Sequence, residues 1–197
     1  MPKIPISIYT EVTPNPSTMK FVANKYLSLN QESVDFKTKS QTIGYSQLAA
    51  ELFDFPFVKG VFVSSNFITI TKNDALSWDF VKDELREFIR EYLVSGKDVI
   101  QKLPEKTIIE HKTFSKNDLT SEVDIAIMNL LDEYVKPAVE GDGGAIEFLN
   151  YQDGIVTVAL KGACSGCPSS TATLKGGIEQ LLKQHIPEIK EVVAENQ

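Results

Sequence analysis

The chain has 197 residues, 42% hydrophobic and 24% charged, a mixture that fits one or two ordinary globular domains. No apolar run reaches the ~18 residues needed to cross a membrane as a helix. The net charge of -7 lies in one part of the chain: residues 1–93 carry -1, residues 94–119 carry +1 and residues 120–197 carry -7. No basic patch stands out, so a nucleic-acid partner is not expected. Residues 1–11 show neither a secretory signal nor a transit-peptide pattern, which makes the cytoplasm the expected compartment, with a trimmed organelle protein as the alternative.

In chain order, Ile4, Ile6 and Ile8 alternate as in a strand, and Thr13 to Ser17 is a turn cluster. Residues 20–29 alternate less cleanly. Leu48 and Leu52 mark a helix within residues 46–53. Residues 60–64 and 67–71 are β-rich and joined by Ser65-Asn66, a hairpin pattern. Val81, Leu85, Phe88, Ile89 and Tyr92 form a helical face over residues 78–93. Two helices and about four strands imply an antiparallel sheet with helices on one side over residues 1–93.

Residues 94–119 read as a polar linker with one short extended piece at 107–110. The second domain, 120–197, opens on a helix-start pattern at Ser121 and Asp124. Val123, Ile127, Leu130, Leu131 and Tyr134 mark the helix face, and Pro137 is expected to limit it. Gly141-Asp142-Gly143-Gly144 reads as a turn. Strands at 145–151 and 155–160 form a hairpin around Gln152-Asp153-Gly154. A final helix carries Leu174, Ile178, Leu181 and Leu182, and Glu191 to Val193 suggest an edge strand. The expected class is α+β: two small domains, each a short, mostly antiparallel sheet packed with about two helices.

The only cysteines are Cys164 and Cys167, in the loop Lys161-Gly162-Ala163-Cys164-Ser165-Gly166-Cys167-Pro168. Two intervening residues let both sulfurs converge on one site, and Gly162 and Gly166 allow the tight backbone this needs. Pro168 suits a helix start, with Ser169, Ser170 or Thr171 as cap. A helix N-terminus next to the sulfurs is expected to favour thiolate. Four readings compete: iron–sulfur ligation, zinc, dithiol–disulfide exchange and an incidental pair. A cluster takes about four thiolates, so one chain supplies half a site and a two-fold dimer the rest; a four-cysteine zinc site would be completed in the same way. His111 lies in the linker and His185 about four helical turns away. Dithiol exchange usually calls for a strand–helix crossover, whereas here a hairpin precedes the pair.

The wider sequence resembles the NifU-type (Nfu) iron–sulfur scaffold family. Residues 139–148 (VEGDGGAIEF), 156–170 (VTVALKGACSGCPSS) and 173–179 (TLKGGIE) are similar to its C-terminal domain. Residues 13–21 (TPNPSTMKF) and 61–72 (VFVSSNFITITK) look like the N-terminal domain often fused to it. The resemblance implies a carrier, not an enzyme. Such a carrier accepts a cluster, usually 4Fe–4S with 2Fe–2S as the alternative, and passes it to apo-proteins. It implies Cys164 and Cys167 as the cofactor and metal ligands, a homodimer bridged by the cluster, and upstream assembly factors as further partners. Gly176-Gly177 departs from the family, which usually has one glycine there; close packing against a partner is one way to offset the cost to the helix. Asp142 is read as a turn former, Trp78 as a core or helix-start anchor, and Lys161, Lys175 and His185 as solvated side chains.

Overall fold

Alternating apolar side chains build the first sheet. The computed structural model describes residues 5–28, 32–104, 122–165 and 168–196. The chain divides into two compact units, Met1–Glu105 and Lys106–Gln197. In the first, strands β1 (Ile8–Val12), β2 (Thr18–Ala23), β3 (Val34–Phe36), β4 (Val58–Ser64) and β5 (Phe67–Lys72) form an antiparallel sheet in the order β1-β2-β5-β4-β3. Met19 and Phe21 of β2 stand opposite Ile70 and Ile68 of β5, which in turn face Val61 and Val63 of β4. These residues share one face, as a period of two requires, and helices α1 (Gln47–Leu52) and α2 (Trp78–Val94) pack on it through Leu48, Leu52, Val81, Leu85 and Ile89.

Both helices begin at serine caps, Ser46 accepting from the Ala49 N–H and Ser77 from the Asp79 N–H. The hairpin through Ser65-Asn66 is present. The sheet has one strand more than the sequence suggests, because three residues with Asp35 in the middle are too few to show an alternation. Residues 95–104 read as polar linker, yet Val99 and Ile100 are buried in this unit's core. Ser46 also donates to the Val99 carbonyl, and Gln101 donates its N–H to the Tyr45 carbonyl. The rest of the expected linker, with the extended piece at 107–110 and His111, lies outside the described residues, as does Ser121 at the expected start of the second domain.

The second unit holds the cysteine loop. Its first helix, α3 (Glu122–Leu130), passes through a π-helical turn (Leu131–Val135) into α4 (Lys136–Gly141). Two expectations change here. Pro137 does not end the helix: it sits in the first turn of α4, after a widened turn in which the Lys136 N–H bonds the Leu131 carbonyl. That widening relieves the clash a proline ring makes with the preceding turn of an α-helix. The buried stripe is Ile127, Leu131, Val135 and Val139, and Tyr134 is exposed. Steps of four across twelve residues overshoot the face of a straight α-helix by about 120°. The π turn absorbs the excess and brings Val135 inward in place of Tyr134.

Strands β6 (Gly144–Gln152) and β7 (Ile155–Gly162) form the expected hairpin. Its turn is Asp153-Gly154, both at positive φ (54° and 88°), as a type I′ turn requires. Helix α5 (Pro168–His185) then leads to β8 (Glu191–Asn196), which pairs with β7 in parallel, giving the order β6-β7-β8. Val156, Val158 and Leu160 of β7 pack with Ile178 and Leu182 of α5 and with the helical stripe. The fold class is α+β, with a five-stranded and a three-stranded sheet, each packed with helices.

Candidate metal centre

Cys164 lies where β7 ends. Gly162 takes a left-handed conformation (φ 65°), and the chain closes into a 3-10 turn, Ala163–Ser165. Ser165 Oγ donates to the Gly162 carbonyl at 2.9 Å, and Thr171 Oγ1 of α5 donates to the Cys164 carbonyl at 3.0 Å. The Ala163 N–H reaches the Gly143 carbonyl at 3.2 Å, tying the turn to the end of α4. Thr171, expected as a helix cap, instead ties α5 to the cysteine backbone. Helix α5 begins at Pro168, as the proline suggests. Gly166 and Cys167 lie outside the described residues.

The Cys164 thiol is free and 7% exposed, at the margin of the core. A Cβ on Gly144 would stand 2.7 Å from Cys164 Sγ and 2.7 Å from the Lys161 carbonyl oxygen. The sulfur therefore occupies the space a side chain at position 144 would fill. Burial pushes the thiol up to about 11, and the Asp142 carboxylate adds to the shift. From the sequence, the start of α5 is expected to favour thiolate. At Cys164 desolvation dominates instead, so the free side chain is a neutral thiol that must lose its proton to bind a metal.

Two family models match the chain: the N-terminal domain of scaffold protein Nfu/NifU over residues 8–96, and the NifU-like domain over residues 127–193. "NifU-like protein 4, mitochondrial" of Arabidopsis thaliana is 37% identical over 190 residues, covering 95% of this chain and 65% of that protein. "NFU1 iron-sulfur cluster scaffold homolog, mitochondrial" of Homo sapiens is 37% identical over 186 residues, covering 94% of this chain and 70% of that protein. The chain belongs to the Nfu/NifU scaffold family. It spans about two thirds of the length of these relatives. A NifU-like protein from Saccharomyces cerevisiae, solved by NMR, is 28% identical, with a TM-score of 0.47 over 52% of this chain and 92% of that one.

In this Nfu chain the lysines near the loop are engaged. Lys161 Nζ lies 2.7 Å from Glu147 and Lys175 Nζ 3.2 Å from Glu191. His185 stacks on Tyr134 with ring centroids 6.2 Å apart. Trp78 acts as a helix-start anchor, its Nε1 donating to the Pro16 carbonyl at 3.0 Å and its ring packing on the first core. Among the described residues no group of three His, Cys, Asp or Glu side chains could hold a metal ion. No described helix is long and apolar enough to cross a membrane. In the sequence Gly144 reads only as part of a turn. Its clearance role has no signature in an isolated sequence, because the contact joins residues twenty apart.

Proposed function

We propose that this protein is an iron–sulfur cluster carrier. It holds a cluster, 4Fe–4S in the favoured form, on Cys164 and Cys167 of two copies and passes it to apo-proteins. The observation that carries the reading is Cys164 itself: a free thiol at the CxxC of a NifU-like domain, seated against a glycine that leaves room for its sulfur. Handover is ligand exchange. An incoming client thiolate forms a bond to iron while the iron–Cys164 bond breaks with its electron pair left on sulfur, and no net oxidation or reduction occurs. The function is transfer of a cargo rather than enzymatic turnover.

A dimer follows from ligand number, since two thiolates per chain complete half of a four-thiolate site. Helix α5 supports it. Ala172, Thr173, Gly176 and Gly177 are all exposed on α5, and a Cβ on either glycine would meet no described residue within 4 Å. Such a surface permits close approach by another copy. The N-terminal unit, residues 1–93 in this reading, contains no cysteine and would bind clients or upstream assembly factors. Free thiols need a reducing compartment, the cytoplasm or the interior of an organelle.

Dithiol exchange has one observation in its favour, because the β7–α5–β8 connection is a crossover between parallel strands. The protonated, buried Cys164 weighs against it, since an attacking thiol needs thiolate character. A zinc-bridged dimer shares the ligand count. Iron and labile sulfide, assayed against zinc in protein purified without air, separate the readings: iron with sulfide supports the carrier, while zinc alone overturns it.

A further inference from the structure

Thr171 reaches out of its own helix. A threonine within a helix commonly turns its hydroxyl back to a carbonyl three or four residues earlier in the same helix. Thr171 lies in the first turn of α5, and its Oγ1 donates instead to the Cys164 carbonyl at 3.0 Å, seven residues back and outside the helix. The helix that carries it is firmly held. Ile178 and Leu182 are buried in the second core, Glu179 accepts the Val192 N–H of β8 at 3.1 Å, and Lys175 pairs with Glu191 at 3.2 Å. The hydroxyl is therefore an arm set on a fixed frame.

The other side of the Cys164 turn is anchored as well. The Ala163 N–H bonds the Gly143 carbonyl at 3.2 Å, and the missing side chain of Gly144 leaves the sulfur its space beside the Lys161 carbonyl. Thr171 adds the link to α5. Cys167 follows Cys164 by three positions and directly precedes Pro168, where α5 starts. Cys167 is thus joined to the helix by the chain itself, and Cys164 is joined to it by the Thr171 hydroxyl. One hydrogen bond ties the first cysteine to the element on which the second one borders. A two-residue spacing alone permits a range of sulfur separations, whereas a shared metal centre accepts a narrow one.

We infer that Thr171 is a positioning residue for the metal half-site, its hydroxyl holding the Cys164 backbone to the start of α5 so that the two thiolates of one chain stand at the spacing a shared metal centre requires. The inference rests on the carrier reading, because it takes both cysteines as ligands. The hydroxyl donates to a carbonyl, binds no metal and transfers no proton. Ordering the half-site before a metal arrives lowers the cost of binding, as hydrogen bonds behind the ligands do at metal sites generally.

The test titrates full-length apo protein, reduced and free of air, with cobalt(II) alone. Thiolate–cobalt charge-transfer absorbance reports binding, with Cys164→Ser as the background. Thr171→Val keeps the shape and removes the hydroxyl, Thr171→Ala removes it without a branched side chain, and Thr171→Ser keeps it. The valine and alanine variants are expected to bind cobalt about threefold to tenfold more weakly than wild type, the range one net hydrogen bond spans. Thr171→Ser should return the affinity towards wild type. Affinity is read on folded protein, so a loss of stability alone does not move it. A folded variant without the hydroxyl that binds cobalt as tightly as wild type, with the same spectrum, overturns the inference and leaves the carrier reading intact. A wild type that binds cobalt yet takes up no cluster on reconstitution with iron and sulfide overturns cluster carriage, and the cobalt comparison still decides on Thr171. A wild type no better than Cys164→Ser overturns both.

Discussion

Gly144 and Cys164, twenty residues apart, share one volume: a methyl group on the first would lie 2.7 Å from the sulfur of the second. The Lys161 carbonyl closes the same space at 2.7 Å, and a backbone oxygen held in the β6–β7 ladder cannot swing aside as a side chain can. Gly144→Ala is therefore expected to destabilise the second unit by about 1–3 kcal/mol, the usual cost of overpacking, and to lower the iron bound after reconstitution. Gly154→Ala is the control. It strains a left-handed turn and approaches the Glu188 carbonyl at 2.9 Å, at the other end of the hairpin. It should lower stability while cluster content in the folded fraction stays normal. Thermal unfolding and iron analysis on both variants check the contrast.

The buried thiol gives a pH signature. Cys164 ionises near 11 in the folded protein, against 9.0 for an unperturbed thiol. Below pH 9 both states are protonated and the stabilising contribution is fully present. As pH rises the unfolded thiol ionises first, so the contribution falls away between about pH 9 and 11, by roughly 2–3 kcal/mol in all. Urea unfolding of apo wild type across that range should show the loss, and Cys164→Ala should show less of it. Alkylation of Cys164 at pH 8 should also be slower in the folded protein than in urea.

The glycine pair on α5 separates two demands. Each helical glycine costs about 1 kcal/mol relative to alanine, and among the described residues neither Gly176 nor Gly177 is needed for clearance. Gly177→Ala should therefore raise the melting temperature of the apo protein. If the α5 surface meets a second copy, the same variant should weaken the cluster-bound dimer, as read by sedimentation of loaded protein. Unchanged dimerisation would place the interface elsewhere.

The π turn predicts an inversion of the usual expectation for a large aromatic. Val135→Ala removes a buried side chain and should cost about 1–2 kcal/mol, whereas Tyr134→Ala, at a position 52% exposed, should cost less than half as much. Urea denaturation of the two variants measures the difference.

That pair of residues also shows where the sequence stops being legible. The β-rich runs of β4, β5 and β7 read directly, whereas β2 (Thr18–Ala23) is only partly legible because residues 20–29 alternate less cleanly. The face of α3 reads correctly to Leu131 and then fails. A periodicity argument assumes 3.6 residues per turn, and nothing local announces a widened one. Strand β3 was too short to carry a pattern. Val99 and Ile100 sat in a polar stretch whose burial depends on tertiary contacts with Ser46 and Tyr45. At the site, the spacing of the cysteine pair leaves four readings open, and only the resemblance favours iron–sulfur ligation. The protonation of Cys164 was not legible, because desolvation outweighs the helix terminus only once the core has formed around it. The contact with Gly144 likewise exists only in the folded unit.

The central claim is that Cys164 and Cys167 of two copies hold one iron–sulfur cluster. Its most direct test is iron and labile sulfide per dimer after anaerobic reconstitution of wild type, Cys164→Ser and Cys167→Ser, with the oligomeric state measured on the same samples. The account predicts a coloured wild-type dimer with iron and sulfide in equal amounts, and colourless protein from both serine variants. A wild type that stays colourless and monomeric, or serine variants that both retain the cluster, would contradict it.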